Sequence, residues 1–229
     1  MANIAVIPAR GGSKRIPRKN VKEFCGKPMI AYSIEAAIKS ECFDRVIVST
    51  DDEEIAEVAL SYGAEVPFIR PKTLSDDYSG TTPVIRHAIE WLIKDGVTPK
   101  FVCNLYATAP FVTPEYLQLG LEQLVETESN YAFTAASYAF PIQRAFRINF
   151  EKQVEMFYPN HDSSRSQDLE EAWHDAGQFY WGTVDAWLNE KVIFGLGSTP
   201  VILPRHRVQD IDTYEDWERA EWLFKAMQA

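Results

Sequence analysis

The sequence predicts an α/β protein built on a doubly wound, mostly parallel sheet. Short apolar runs of the kind buried in parallel sheets alternate with amphipathic segments over the first 135 residues. Repeated βα units require right-handed crossovers, which place helices on both faces of such a sheet. With 229 residues, of which 46% are hydrophobic, the chain is expected to form one domain around one large core.

The predicted strands follow from the apolar runs. Five lie in the first part of the chain, at residues 4–8, 45–49, 66–69, 101–105 and 131–135. Residues 177–182 are expected to re-enter the sheet, and residues 201–203 to add a further strand. Ligands bind beyond the carboxyl ends of the strands in such sheets, so the loop after residue 8 is the first place to look for a site.

The predicted helices follow from apolar positions that recur every three or four residues. Their stripes include Ile34, Ala59, Ile89, Leu121 and Phe224. Thr50-Asp51-Asp52 and Thr113-Pro114-Glu115 are suitable helix N-termini, the latter with proline in the first turn.

The alternation breaks at about residues 140–175. Residues 144–150 and 153–158 flank Glu151-Lys152, which predicts a β-hairpin. Aromatic residues are numerous in this segment, and no helix is available to cover them: Phe140, Phe146, Phe150, Phe157 and Tyr158. We interpret the segment as a protruding dimerisation arm. The alternative is a hairpin that folds back on its own domain.

Composition excludes several classes of protein. A net charge of −10 argues against a nucleic-acid-binding or anionic-membrane-binding face. No apolar stretch approaches the length of about 18 residues that a membrane span needs. Cys25, Cys42 and Cys103 are odd in number and widely spaced, which argues against a disulfide framework and favours a cytoplasmic location.

The charge distribution points to a polyphosphate site. Residues 10–27 hold seven Lys or Arg residues and one acid, although the whole chain is acidic. Within them, Gly11-Gly12 lets the backbone approach a ligand closely, so that N–H groups and cationic side chains can surround phosphate oxygens. The loop has neither a Walker A nor a dinucleotide-binding pattern. The alternative is a solvated basic loop.

Asp210-Ile211-Asp212 is a candidate metal site. In extended chain, i and i+2 side chains share a face, which places both carboxylates together and turns Ile211 into the core. Mg²⁺ is commonly held by one or two carboxylates together with phosphate oxygens and water. Thr213 and Asp216 also have the spacing of a capping box, and the two roles are compatible. A cationic loop and a carboxylate pair, without an obvious activated nucleophile, favour phosphoryl or nucleotidyl transfer.

A third group of polar residues suggests which kind of substrate accepts the transferred group. The segment 165–181 is dense in polar and aromatic side chains, which suit a many-hydroxyl acceptor with a carboxylate, and Arg165 would be the counter-ion. The candidates are Arg165, Gln167, Asp168, His174, Asp175, Gln178 and Tyr180. The alternative is a solvated connector.

These residues resemble a known family. Residues 7–20, Ile-Pro-Ala-Arg-Gly-Gly-Ser-Lys-Arg-Ile-Pro-Arg-Lys-Asn, are similar to the signature of the acylneuraminate (CMP-sugar) cytidylyltransferases. Val48-Ser49-Thr50-Asp51, Arg70-Pro71-x-x-Leu74 and Asp210-Ile211-Asp212-Thr213 resemble the family's other motifs, in order. The resemblance spans about 210 residues, and it implies one cytidylyltransferase domain over residues 1–229 with the nucleotide-diphospho-sugar transferase type of fold.

The resemblance also implies substrates and site residues. CTP and an acidic nine-carbon sugar would be the partners, Mg²⁺ (or Mn²⁺) on Asp210 and Asp212 the cofactor, and a homodimer the assembly. The nucleotide would be bound by Ala9, Arg10, Gly11, Gly12, Ser13, Lys14, Lys19, Asn20, Arg70, Thr81 and Thr82. Catalysis would rest on Arg10, Lys14, Lys19 and the two aspartates.

The sugar half departs from the sialic-acid members. Where these have Gln-Pro-Thr-Ser-Pro against the sugar, this chain has Tyr106-Ala107-Thr108-Ala109-Pro110, and Trp173–Gly177 replaces their Arg-x-Asn-Gly block. The segment 165–182 is similar instead to the branch that acts on pseudaminic acid. N-acetylneuraminate, legionaminate and a Kdo-type acid remain alternatives, as do a regulatory module that binds nucleotide without turnover and a nucleoside-triphosphate hydrolase.

Overall fold

The computed structural model describes residues 1–76 and 80–228, which form ten strands. The strands are β1 Ala2–Pro8, β2 Glu23–Phe24, β3 Lys27–Pro28, β4 Arg45–Ser49, β5 Pro99–Leu105, β6 Tyr131–Ser137, β7 Phe146–Ile148, β8 Val154–Met156, β9 Trp173–Thr183 and β10 Ser198–Ile202. The α-helices are α1 Met29–Lys39, α2 Glu53–Ser61, α3 Thr81–Lys94, α4 Pro114–Glu126, α5 Val184–Leu188 and α6 Tyr214–Gln228.

Six strands form the central sheet, in the order β10-β6-β9-β5-β1-β4. Strand β9 runs antiparallel to β5 and β6, whereas the other neighbouring pairs are parallel. The predicted mostly parallel α/β fold is therefore confirmed. The further strand predicted at residues 201–203 is β10, parallel to β6.

Helices cover both faces of the sheet because successive side chains of each strand point to opposite faces. On one face, Ile34 of α1 and Leu117 of α4 pack with Ile7 of β1, and α2 joins them. On the other, Ile89 of α3 packs with Val6 of β1, and α5 joins it. The core thus lies in two layers, and the strand ends remain open for a site.

A third apolar cluster joins the N-terminal loop to the C-terminal helix. Ile16 of the loop, Phe24 of β2 and Ile211 are buried with Trp217 of α6. The rings of Phe24 and Trp217 meet edge to face, with centroids 5.4 Å apart. This cluster holds the cationic loop beside the segment that carries Asp210 and Asp212.

One strand prediction is wrong. Residues 66–69 form no strand; isolated bridges join Glu65 to Ile47 and Ile69 to Thr50 instead. Pro67 lies between them and has no N–H to donate to a ladder, which restricts this segment to single contacts beside β4.

The predicted hairpin is present as β7 and β8, which pair with each other and with no other strand of the described chain. The N–H groups of Glu151 and Gln153 donate to Asn149 Oδ1 and close the turn. The aromatic side chains of the arm are exposed: Phe140, Phe146, Phe150, Phe157 and Tyr158. The described part of the domain therefore does not bury them, contrary to the alternative of a hairpin packed on its own domain. No helix within the described ranges is long and apolar enough to cross a bilayer.

Candidate active site

The loop after β1 leaves the sheet at its carboxyl edge and folds back on itself. Ala9 is buried, and its N–H donates to the carbonyl oxygen of Ser49, which fixes the start of the loop. Asn20 is also buried, and its Nδ2 donates to the carbonyl oxygen of Arg10 at 2.9 Å. Ala9 and Asn20, two of the residues predicted to contact nucleotide, thus also define the shape of the loop.

The two glycines of the loop have different surroundings. The N–H of Gly11 donates to Asp51 Oδ1 at 3.1 Å, and a Cβ at Gly11 would lie 2.6 Å from Asp52 Oδ2. A Cβ at Gly12 would meet nothing within 4 Å. Gly11 is therefore needed for close approach to the start of α2, while Gly12 is open to a ligand.

A first cleft of about 540 Å³ lies against this loop. It is lined by Pro8, Arg10, Ser13, Lys14, Arg15, Lys19, Asn20, Thr81, Tyr106, Ala107, Thr108 and Asp212. Six of the residues predicted to bind nucleotide are among them. Four cationic side chains face one carboxylate, which gives the cleft the electrostatics of an anion site in an acidic protein.

Asp212 also lines the first cleft, although it lies near the other end of the sequence. Arg15 Nη2 lies 2.9 Å from Asp212 Oδ1, and Lys19 Nζ lies 3.4 Å from the same oxygen. Lys19 Nζ also donates to the carbonyl oxygen of Ile211 at 2.6 Å. Sequence reasoning did not assign Arg15 to the site, although its position in the cationic run was a signal.

Asp210, the residue before the buried Ile211, lines a second cleft of about 400 Å³. The other residues of this cleft are Tyr106, His174, Asp175, Ala176, Gly177, Val208 and Gln209. Burial raises the pKa of Asp210, and the charge of Asp212 raises it further. Tyr106 lines both clefts, so the two spaces adjoin at this side chain.

Asp210 and Asp212 supply carboxylate oxygens of the kind that bind a divalent cation, and the charge of Asp212 acts on Asp210 although the two line different clefts. Within residues 1–76 and 80–228, no group of three or more His, Cys, Asp or Glu side chains forms a ready cage. Two carboxylates with phosphate oxygens and water are a suitable donor set for Mg²⁺. The capping box is present as well, since the Thr213 N–H donates to Asp216 Oδ2 and the Asp216 N–H to Thr213 Oγ1.

A bulge in β9 forms one wall of the second cleft. Phe133 of β6 pairs with Tyr180, yet Ala135 pairs with Asp175, so β9 carries three extra residues between these positions. Gly177 has φ +61°, a conformation that favours glycine. Asp175 accepts hydrogen bonds from the Gly177 N–H and the Tyr180 hydroxyl. Bulges often aim side chains at a site, and this one turns His174 and Asp175 toward the cleft.

Tyr106, which lines both clefts, and its buried neighbour Tyr180 are hydrogen-bond donors at neutral pH. Burial raises the pKa of Tyr106 and, together with the neighbouring Tyr106 and Asp175, that of Tyr180. Both hydroxyls therefore keep their protons.

Other predicted site residues lie outside the linings of the two clefts. Arg70 is buried, with Nη2 3.5 Å from Asp51 Oδ1, and Thr82 follows Thr81 in α3. Arg165 pairs with Asp168 at 2.7 Å on an exposed turn of the arm that also carries Gln167. Gln178 and Tyr180 are buried within β9.

Comparison with known proteins identifies the family. Residues 4–218 match the family model described as cytidylyltransferase. The chain belongs to this family. It is a CTP-using nucleotidyltransferase, as the resemblance of its motifs implied.

Two relatives match over nearly their whole lengths. The chain is 52% identical over 225 residues to a pseudaminic acid cytidylyltransferase of Campylobacter jejuni, covering 98% of this chain and 97% of the relative. It is 32% identical to a CMP-N,N'-diacetyllegionaminic acid synthase of Legionella pneumophila, covering 100% and 98%.

A solved structure shares the fold. A CMP:2-keto-3-deoxy-manno-octonic acid synthetase in complex with CTP superposes with a TM-score of 0.71 at 18% identity, covering 99% of this chain and 100% of that one.

Proposed function

We propose that this enzyme transfers CMP from CTP to the anomeric hydroxyl of pseudaminic acid, giving the CMP-sugar and pyrophosphate. The observation that carries the proposal is the pair of adjoining clefts, one cationic and one lined by acidic and hydroxyl groups, which meet at Tyr106. The high identity to a relative of that name supports the choice of sugar.

The first cleft would hold the triphosphate. Arg10, Lys14 and Lys19 would screen the charge that develops on the α-phosphate and on the departing pyrophosphate, and Arg15 would join them. Asn20 keeps the loop in the shape that presents these groups. Asp210 and Asp212 would hold Mg²⁺, which when bound polarises phosphoryl oxygens.

The second cleft would hold the sugar, with its anomeric hydroxyl toward Tyr106 and the α-phosphate in line. Asp175 and Asp210 offer acceptors to hydroxyl and acylamido N–H groups, and His174 adds a further polar contact. The described lining holds no Lys or Arg to pair with the carboxylate of the sugar.

A homodimer would complete the second cleft. The arm exposes aromatic side chains, and Arg165 on the same arm is 72% exposed. We infer that each arm packs on a second copy and brings Arg165 to its sugar as the missing counter-ion. The cysteines are free thiols, which suits a cytoplasmic enzyme.

The test is pyrophosphate release by the purified protein with CTP, Mg²⁺ and a panel of acids: pseudaminic, N-acetylneuraminic, legionaminic and Kdo. We expect the highest kcat/KM with pseudaminic acid, no release without an acid, and little with ATP, GTP or UTP. Preference for another acid would overturn the choice of sugar. Release without any acid would indicate a hydrolase, and CTP binding without turnover a regulatory module.

A further inference from the structure

Gln178 joins three segments of the chain, although it lines neither cleft. The residue is 3% exposed, and its side-chain Nε2 donates to the carbonyl oxygen of Arg207 at 2.6 Å. Its backbone carbonyl accepts from the Tyr106 N–H at 2.9 Å. Its own N–H lies 3.3 Å from Thr134 Oγ1, on the strand opposite the bulge.

Two of the segments that Gln178 contacts, together with the bulge that precedes it in β9, form the walls of the second cleft. One wall is Tyr106, the second is the β9 bulge from His174 to Gly177, and the third begins one residue after Arg207 and ends at Asp210. The side-chain amide of Gln178, which directly follows the bulge, is hydrogen-bonded to Arg207, which directly precedes the third wall. This bond, together with the packing of Val208 against the apolar core, holds the third wall beside the bulge.

The first cleft is held by different contacts. Asp212 is paired with Arg15 and Lys19, and Ile211 is fully buried in the cluster with Trp217. Loss of the Gln178 amide would thus loosen residues 207–209, while the buried Ile211 and the paired Asp212 keep the nucleotide side in place.

We propose that Gln178 is a positioning residue that shapes the sugar cleft by holding residues 207–209 against the β9 bulge. The assignment rests on the proposed function. A displacement of about 1 Å at such a site can cost a large factor in rate, so the effect on sugar use is expected to be substantial.

The side-chain oxygen of Gln178 indicates that the residue is not present for stability alone. Oε1 is buried and has no hydrogen-bond partner in the described structure, which is unfavourable for folding. Gln178→Met keeps the length of the side chain and removes both the bond to Arg207 and the unpartnered oxygen. These two effects on stability oppose each other, so the melting temperature is expected to change by less than about 4 °C.

The experiment compares wild type, Gln178→Met and Gln118→Met in steady-state kinetics, with each substrate varied at saturating levels of the other. Gln118, on α4, is the matched control because its Nε2 also donates to a backbone carbonyl, that of Ser40. We expect Gln178→Met to lower kcat/KM for the sugar acid by at least about tenfold and to change KM for CTP less than about twofold. Gln118→Met should match wild type in both.

The outcomes are distinct. Unchanged kcat/KM for the acid in Gln178→Met, with an active wild type, would overturn the positioning role and leave the proposed function intact. Equal losses for both substrates together with a large drop in melting temperature would assign Gln178 a purely structural role and overturn it too. Should Gln178→Met not fold, Gln178→Asn, whose amide is one methylene too short to reach Arg207, is expected to give the same selective loss. A wild type inactive with every acid would overturn the proposed function and this assignment with it.

Discussion

Lys19 Nζ lies 2.6 Å from the carbonyl oxygen of Ile211, a residue 192 positions later in the chain. The same ammonium group lies 3.4 Å from Asp212 Oδ1. One cation therefore connects the cationic loop to Asp212, one of the two carboxylates that would hold the metal. The chemistry proposed for this enzyme depends on this connection between the two ends of the sequence.

Loss of the Lys19 or the Asp212 side chain is expected to lower turnover strongly without unfolding the protein. Lys19→Ala and Asp212→Ala should each lower kcat by about 10²-fold or more, because the first removes a cation that screens the reacting phosphates and the second removes a ligand of the metal that also screens them. Pyrophosphate release with circular dichroism measures both effects. Lys22→Met is the control, since Lys22 lies over the rings of Tyr214 and Trp217 and outside the cleft lining. Near wild-type release by either alanine variant would remove its residue from the mechanism.

Chelation gives an independent check of the metal. Excess EDTA is expected to abolish turnover, and Mg²⁺ or Mn²⁺ to restore it, because Asp210 and Asp212 are hard oxygen ligands for such cations. The control is EDTA that has been saturated with Mg²⁺ before it is added to the assay, which should leave turnover unchanged. Full activity in EDTA would exclude the metal site.

Arg15 and Arg18 are neighbours in the loop with different expected roles. Arg15→Gln should raise KM for CTP with little change in melting temperature, since Arg15 faces the first cleft. Arg18→Gln should lower the melting temperature with little change in KM, since Arg18 binds Asp52 at 2.6 and 2.9 Å and also contacts Glu54. A reversal of these two patterns would contradict the assignment of Arg15 to the cleft.

The Arg18 pair also makes stability depend on pH. The hydrogen bond from Arg18 holds the pKa of Asp52 below its usual value of 3.8. A lowered pKa in the folded state stabilises the protein above the unfolded-state value, and this contribution is lost as the pH falls through the folded-state pKa. The urea midpoint of wild type should therefore fall more steeply below about pH 4 than that of Arg18→Gln. Parallel curves would exclude the pair as a source of stability.

The glycines of the loop offer a second matched pair. Gly11→Ala is expected to lower the melting temperature, because its Cβ would lie 2.6 Å from Asp52 Oδ2. Gly12→Ala has open space and should fold normally, but its methyl group would obstruct a phosphate and raise KM for CTP. Equal KM values for Gly12→Ala and wild type would place the triphosphate away from this glycine.

The dimer is tested by complementation. Light scattering at micromolar concentration should give twice the chain mass of 26.1 kDa. Arg165→Gln and Asp212→Asn chains should each be inactive alone, yet mixed after unfolding and refolding they should recover about a quarter of wild-type activity, since half of random dimers carry one intact site. A monomeric mass, or no recovery, would contradict an arm that acts across subunits.

Much of the nucleotide side could be predicted from sequence because it depends on local rules. A loop that follows the first strand lies at the carboxyl edge, and alternating burial around Ile211 separates two aspartates from the core. Asp212 was named on this basis and Lys19 from the resemblance of the loop to the family signature, and the structure brings both to the first cleft.

The sugar side could not be predicted in the same way, because it depends on register between distant strands. Nothing local shows that β9 runs antiparallel or carries three extra residues opposite Thr134. Gln178 was therefore taken as a ligand, although the bulge buries it and turns its amide to Arg207. Arg15 was omitted because the local sequence does not distinguish a cation that faces the cleft from one, such as Arg18, that pairs elsewhere.

A crystal structure with a non-hydrolysable CTP analogue and Mn²⁺ tests the central claim most directly. We expect the triphosphate between the Gly11–Lys19 loop and Asp212, and anomalous density for Mn²⁺ at Asp210 and Asp212. A ligand bound elsewhere, with Asp212 still paired only to Arg15 and Lys19, would contradict the account.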